Sequence, residues 1–138
     1  MPPASLVSMG GKAAPASDRA FILHIDEYSR PLSRLFAASG YRCAVFITAS
    51  NPLSVPHSVG ENLAACARLR DELLRRACRA EQILNGEGRD ITGTWPGERS
   101  FLVLGLDLET STLLGREFGQ NALVRADEDA IPRLILLR

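Results

Sequence analysis

Apolar and polar positions alternate along the chain in blocks whose spacing indicates strands and helices in turn. Short runs rich in apolar, β-branched and aromatic residues predict strands at 20–25, 41–49, 81–84, 100–106, 122–125 and 133–137. Apolar residues spaced by three and four positions predict helices over 30–39, 59–79 and 108–118. The predicted order of elements is therefore β-α-β-α-β-β-α-β-β.

The ends of the predicted helices carry residues that satisfy unpaired backbone groups. Ser58 and Glu61 match a capping box, and Asp107 stands at the N-cap position of the last helix. Gly119 follows that helix as a left-handed C-terminal glycine does. These signals and the alternation predict an α/β fold, with α+β as the alternative. We expect a mixed sheet of five to six strands packed by three helices.

Length and composition predict one domain with a flexible start. The 138 residues are enough for a single globular domain over 20–138. Residues 1–19 are rich in Ala, Ser, Pro and Gly, so we expect a disordered tail. That tail lacks the pattern of a signal peptide, and no apolar run reaches the ~20 residues of a membrane span. The expectation is a cytoplasmic protein that does not enter a membrane.

Charge and cysteine content narrow the classes of partner. Sixteen basic and sixteen acidic residues cancel, so nucleic acid is not expected as a main partner. Cys43, Cys66 and Cys78 form no CxxC motif, which suits reduced thiols. His57, Asp90 and Glu98 lack the spacing of a metal site, so we predict neither a metal nor a cofactor.

Strand directions predict that polar residues gather at one end of the sheet. If 81–84 pairs antiparallel with 100–106, the loops after 49 and 84 and the residues after 118 share that end. The helix start at Ser58 would add positive partial charge there. Residues 85–97, with four glycines, are predicted to be a long loop at the same end, either functional or specially packed. The candidate ligand-binding residues are Asn51, Ser54, Asn62, Arg89, Trp95, Glu98, Ser100, Gln120 and Asn121.

Two functions of different classes fit this set of residues. The first is a non-catalytic module that binds a small polar ligand or a protein partner through side-chain amides. The second is a small hydrolase or transferase in which Glu98 acts as general base. Amides outnumber strong bases and nucleophiles, which favours the module. Single residues keep structural alternatives: Asn62 could anchor the proline loop, Gln120 and Asn121 could cap a helix, and Trp95 could cover the core.

Four segments carry a resemblance to a known family. They are FITASNPLS, NGEGRD, WPGERSFLVLGLD and REFGQNALV, in this order and spacing. Together they resemble the family catalogued as domain of unknown function 3293, over about 42–137. The resemblance implies a bacterial, cytoplasmic protein, and it supplies no activity or catalytic residue.

Overall fold

The computed structural model describes residues 5–9, 21–76, 78–90 and 97–137, with the backbone alone at 5–9, 89 and 90. These ranges hold seven strands and three helices. In chain order they are β1 (Ser5–Met9), β2 (Phe21–His24), α1 (Arg30–Ser39), β3 (Ala44–Ile47), α2 (Val59–Arg75), β4 (Ile83–Asp90), β5 (Glu98–Leu104), α3 (Leu108–Glu117), β6 (Ala122–Ala126) and β7 (Arg133–Leu136). Single 3₁₀ turns lie at Pro52–Ser54 and Ala80–Gln82.

The strands form one sheet in the order β2-β1-β4-β5-β3-β6-β7, and every neighbouring pair in it is antiparallel. The α+β alternative and the three helices are confirmed, whereas the expected mixed sheet of five to six strands is wrong in pairing and in count. The reason lies in the crossovers. Helix α2 connects β3 to β4 across β5, and α3 connects β5 to β6 across β3. Strands that run in the same direction are therefore separated by an antiparallel one.

Strand β1 occupies part of the segment for which disorder was expected. It pairs with β2 and with β4, so that Leu6 stands opposite both His24 and Arg89. Composition does not reveal this, because the partner groups belong to the backbone of distant strands. The other residues of the predicted tail lie outside the described part of the chain.

Strand β4 replaces the first half of the predicted long loop. The pairing of 81–84 with 100–106 is confirmed, since Ile83 stands opposite Val103, but the ladder continues to Gly88 opposite Glu98. The glycines at 86 and 88 argue against a strand by propensity. Ladders to β1 and β5 on both sides outweigh that preference. Residues 91–96, including Trp95, lie outside the described part of the chain.

Helix α2 ends earlier than the predicted 79, at Arg75. The Arg76 N–H donates to the carbonyls of both Glu72 and Leu73, and the Cys78 N–H also donates to Leu73. This tightened last turn ends the helix. The predicted α3 is confirmed, and the Asp107 carboxylate accepts a hydrogen bond from the Thr110 N–H that holds the pKa of Asp107 below its usual value.

Helices cover both faces of the sheet, which explains the continuously apolar strand β5. Phe101 and Val103 share a core cluster with Leu69 and Leu73 of α2. Leu102 and Leu104 share the opposite cluster with the buried residues of α1. Among the described helices, none is long and apolar enough to cross a membrane.

Candidate functional site

The loop that follows β3 turns through backbone conformations that favour glycine. Asn51, Leu53 and Ser54 have φ values of 46°, 59° and 60°. Asn adopts this left-handed region readily, whereas Leu does so at a cost of about 1–2 kcal/mol. The loop therefore needs contacts from elsewhere in the protein to keep its shape.

Asn51 and Asn62 provide those contacts as a reciprocal amide pair. The Asn51 N–H donates to Asn62 Oδ1 at 2.8 Å, and Asn62 Nδ2 donates to Asn51 Oδ1 at 2.9 Å. The His57 N–H donates to the same Asn51 Oδ1 at 2.9 Å. Asn51 Nδ2 donates to Glu98 Oε2 at 3.0 Å. Both polar ends of the Asn51 side chain thus hold the loop between α2 and β5.

The residues after α3 hold the other side of the loop. Gln120 is 6% exposed, and its Nε2 donates to the Ser50 carbonyl at 3.1 Å and to the Phe118 carbonyl at 3.2 Å. Asn121 Nδ2 donates to Ser54 Oγ at 3.0 Å. We call Asn51, Asn62, Glu98, Gln120 and Asn121 together the amide clamp.

The structure brings most of the predicted site residues together at one end of the sheet. The amide clamp and Ser54 meet there, as the strand directions predicted. Ser100 lies beside them but is 1% exposed, and its hydroxyl donates to the Glu98 carbonyl. Arg89 lies on β4 by its backbone, and Trp95 lies outside the described residues. A ligand-binding role for any of them remains a prediction.

An open cleft of about 580 Å³ lies beside the amide clamp, between α2 and the strands β4 and β5. Its volume falls in the range of small-molecule sites. We call it the α2–β4 cleft; it is lined by Ser50, Val59, Asn62, Leu63, Asn85, Gly86, Glu87, Gly97 and Arg99. Asn62 belongs both to the cleft lining and to the amide clamp.

The lining of the α2–β4 cleft has an apolar side and a polar side. Val59 is 77% exposed and Leu63 is 45% exposed, one turn apart on α2. Asn85 and Arg99, on β4 and β5, are also exposed. Within the described part of the chain, neither Asn85 nor Arg99 makes a side-chain hydrogen bond or ion pair. Polar groups available to a ligand thus lie in the cleft rather than in the clamp.

Prediction from sequence missed Asn85 and Arg99 as candidate site residues. Arg99 alternates with Phe101 and Val103, so it faces the side of the sheet that α2 covers. A charged residue at a strand position that faces the covering helix indicates that the strand extends beyond that helix. This pattern could have been recognised in the sequence. Asn85 carried no such signal, because it was assigned to a loop.

The start of α2 carries less positive potential than expected. The Ser58 N–H donates to Glu61 Oε1, and the Glu61 N–H donates to Ser58 Oγ. The backbone N–H of Ser58 and then its hydroxyl hold the pKa of Glu61 below its usual value. A carboxylate thus occupies this helix end and offsets its partial charge. No three His, Cys, Asp or Glu residues of the described ranges are grouped so as to hold a metal ion.

A family model described as "Protein of unknown function (DUF3293)" matches residues 47–123, more than half of the chain. The chain belongs to this family. The membership expected from the four sequence segments is confirmed. The matched range includes the whole amide clamp and every residue that lines the α2–β4 cleft. No curated protein and no solved structure matches the chain.

Proposed function

We propose that this protein binds a small polar ligand in the α2–β4 cleft without catalysing its conversion. The observation that carries the proposal is the contrast between neighbouring polar groups. The clamp amides are hydrogen-bonded within the protein, whereas Arg99 and Asn85 line a cleft without a partner among the described residues. Exposed donors that converge in a concave site are what a polar ligand requires.

The amide clamp supports this function indirectly. Asn51 already uses its amide oxygen twice and its amide nitrogen once, so a ligand there would have to displace internal hydrogen bonds. Displacement without replacement costs roughly 1–3 kcal/mol for each buried group. The clamp instead fixes Asn62, and with it the edge of the cleft. The proposed binding site is therefore the cleft, which lies beside the amides predicted from sequence.

The enzymatic alternative has less support. A general base must come within hydrogen-bond distance of the proton that it removes. Glu98 is 9% exposed, accepts a hydrogen bond from Asn51, and is absent from the described residues that line the cleft. These contacts favour a carboxylate that anchors the loop.

A thermal-shift screen with amino acids, nucleotides, sugars and divalent cations tests the proposal. A true ligand raises the melting temperature of the wild type by mass action. Arg99→Ala and Asn85→Ala should each reduce the shift, because they remove cleft groups without touching the clamp. Arg34→Ala is the matched control, since Arg34 is an exposed arginine on α1, across the sheet. A ligand that keeps its full shift in both cleft variants would refute the proposed site.

A further inference from the structure

The charges that line the α2–β4 cleft point to the class of its ligand. Resting on the proposed function, we infer that the cleft binds a zwitterion, namely a free α-amino acid with an apolar side chain. Three features of the cleft support this: a cation and an anion on adjacent strands, the position of the anion beside the backbone of Gly97, and an exposed apolar side on α2.

Glu87 and Arg99 place opposite charges next to each other. They are directly opposite in the ladder between β4 and β5, and both line the cleft. Residues opposite each other in an antiparallel ladder project from the same face of the sheet. Arg99 nevertheless forms no ion pair among the described residues, so its guanidinium is available to a carboxylate.

The start of β5 leaves room for the Glu87 carboxylate. A Cβ atom at residue 97 would overlap Oε1 of Glu87, so this carboxylate lies against the backbone of Gly97. Glu87 also has an interaction partner within the protein. A carboxylate has about four acceptor positions, so an ammonium group is an additional donor and not a competitor. The Glu87 carboxylate thus lies against Gly97, which also lines the cleft.

A pair of opposite charges selects against ligands with only one charge. A ligand with only a negative charge would be attracted by Arg99 but repelled by Glu87. A ligand with only a positive charge would be attracted by Glu87 but repelled by Arg99. Like charges brought together in this way disfavour the wrong ligand. A zwitterion satisfies both groups, and the Asn85 amide can bond either end of it.

The apolar side of the cleft accounts for the ligand's side chain. Val59 and Leu63 are exposed one turn apart on α2, opposite the charged strands. An aliphatic group packed between them would remove apolar surface of both partners from water, which contributes roughly 25 cal/mol per Å². We therefore expect leucine-like amino acids to bind more tightly than glycine or serine.

Isothermal titration calorimetry of the full chain with L-leucine and two partial analogues tests the inference. 4-Methylpentanoate keeps the side chain and the carboxylate but lacks the ammonium group, whereas 3-methylbutylamine keeps the ammonium group and lacks the carboxylate. We expect L-leucine to bind at least about tenfold more tightly than either analogue, which corresponds to one lost charge-assisted hydrogen bond.

The variants should separate the two charges. Arg99→Ala should weaken L-leucine but not 3-methylbutylamine, and Glu87→Gln should weaken L-leucine but not 4-methylpentanoate. Each variant removes the charge that repels the analogue, so binding of that analogue should stay the same or become tighter. Gly97→Ala should act like Glu87→Gln, because the added Cβ displaces the Glu87 carboxylate. It provides a second test if Glu87→Gln does not fold. Arg34→Ala should change nothing.

The outcomes distinguish the two proposals. Equal affinity for L-leucine and 4-methylpentanoate, or unchanged L-leucine binding in Arg99→Ala, would overturn the zwitterion. If no apolar amino acid binds but another polar ligand does, with a loss in Arg99→Ala, the zwitterion fails and the polar-ligand function stands. If no compound of either panel binds, both proposals fail.

Discussion

The amide clamp and the α2–β4 cleft lie side by side at one end of the sheet, but they differ in whether their polar side chains are hydrogen-bonded within the protein. In the clamp, the Asn51 amide donates and accepts hydrogen bonds within the protein, and the Gln120 amide donates two. In the cleft, Arg99 and Asn85 remain exposed without a partner among the described residues. An amide-rich group is therefore no indication of a binding site until its hydrogen bonds have been traced.

The two regions also rest on different backbones. The clamp holds a loop in which three residues other than glycine, namely Asn51, Leu53 and Ser54, have positive φ. The cleft is built from regular elements, namely α2, β4 and β5. Side chains on regular elements are held more precisely than side chains on loops. This difference supports the proposal that the clamp maintains the shape of the loop and that the cleft, not the clamp, binds the ligand.

The strongest test of this difference is Asn51→Ala. Loss of the amide removes one hydrogen-bond partner each from Glu98, Asn62 and the His57 N–H, so we expect a destabilisation of roughly 2–4 kcal/mol. Urea unfolding measures it. The Asn51→Gly variant should be about 1 kcal/mol more stable than the Asn51→Ala variant, because glycine adopts the left-handed backbone without strain. A change below about 0.5 kcal/mol in Asn51→Ala would show that the clamp does not hold the loop.

A somewhat smaller effect is expected at Gly119, where the loop contacts the end of α3. Its φ is 69°, and an added Cβ would lie 2.7 Å from Pro52 Cβ. Gly119→Ala should therefore cost roughly 1–3 kcal/mol in thermal or urea unfolding. Gly60→Ala on α2 is the control, since a Cβ there meets nothing within 4 Å. That control should be neutral or stabilising, and equal losses in both variants would contradict the role of the loop contact.

Acid should weaken the start of α2, which lies between the two regions. The folded pKa of Glu61 is lowered by its hydrogen bonds to Ser58, so the carboxylate stabilises the fold above the unfolded pKa of a glutamate. This stabilisation is lost as the pH falls through the lowered folded pKa. The stability difference between wild type and Glu61→Gln should therefore shrink as the pH falls through this range. A difference that is independent of pH would contradict the capping box.

The smallest effect on stability should come from the cleft. Arg99→Ala and Asn85→Ala remove side chains without a hydrogen bond or ion pair among the described residues, so each should change the free energy of unfolding by less than about 0.5 kcal/mol. Urea unfolding measures this beside the calorimetric loss of ligand. A large destabilisation in either variant would show that the side chain stabilises the fold, as the clamp does, and would contradict a role in ligand binding alone.

Local chemistry in the sequence determined much of the fold. Ser58 and Asp107 mark helix starts because their side chains accept hydrogen bonds from the next turn of their own helix. Gly119 marks the end of α3 because it has a positive φ. Each signal acts within a few residues, so no knowledge of distant contacts was needed. The gathering of Asn51 and Gln120 at one end also followed, because strand directions are set by the order of the elements.

Only the tertiary structure decided how the two polar regions divide their work. The pairing of β4 with β1 depends on backbone groups distant in sequence, and it turned a predicted loop into a strand. The Asn51 amide is hydrogen-bonded within the protein, whereas the Arg99 guanidinium is exposed in the cleft. This difference depends on where α2 stops covering the sheet. That position results from the packing of whole elements, and a pattern of neighbouring residues does not contain it.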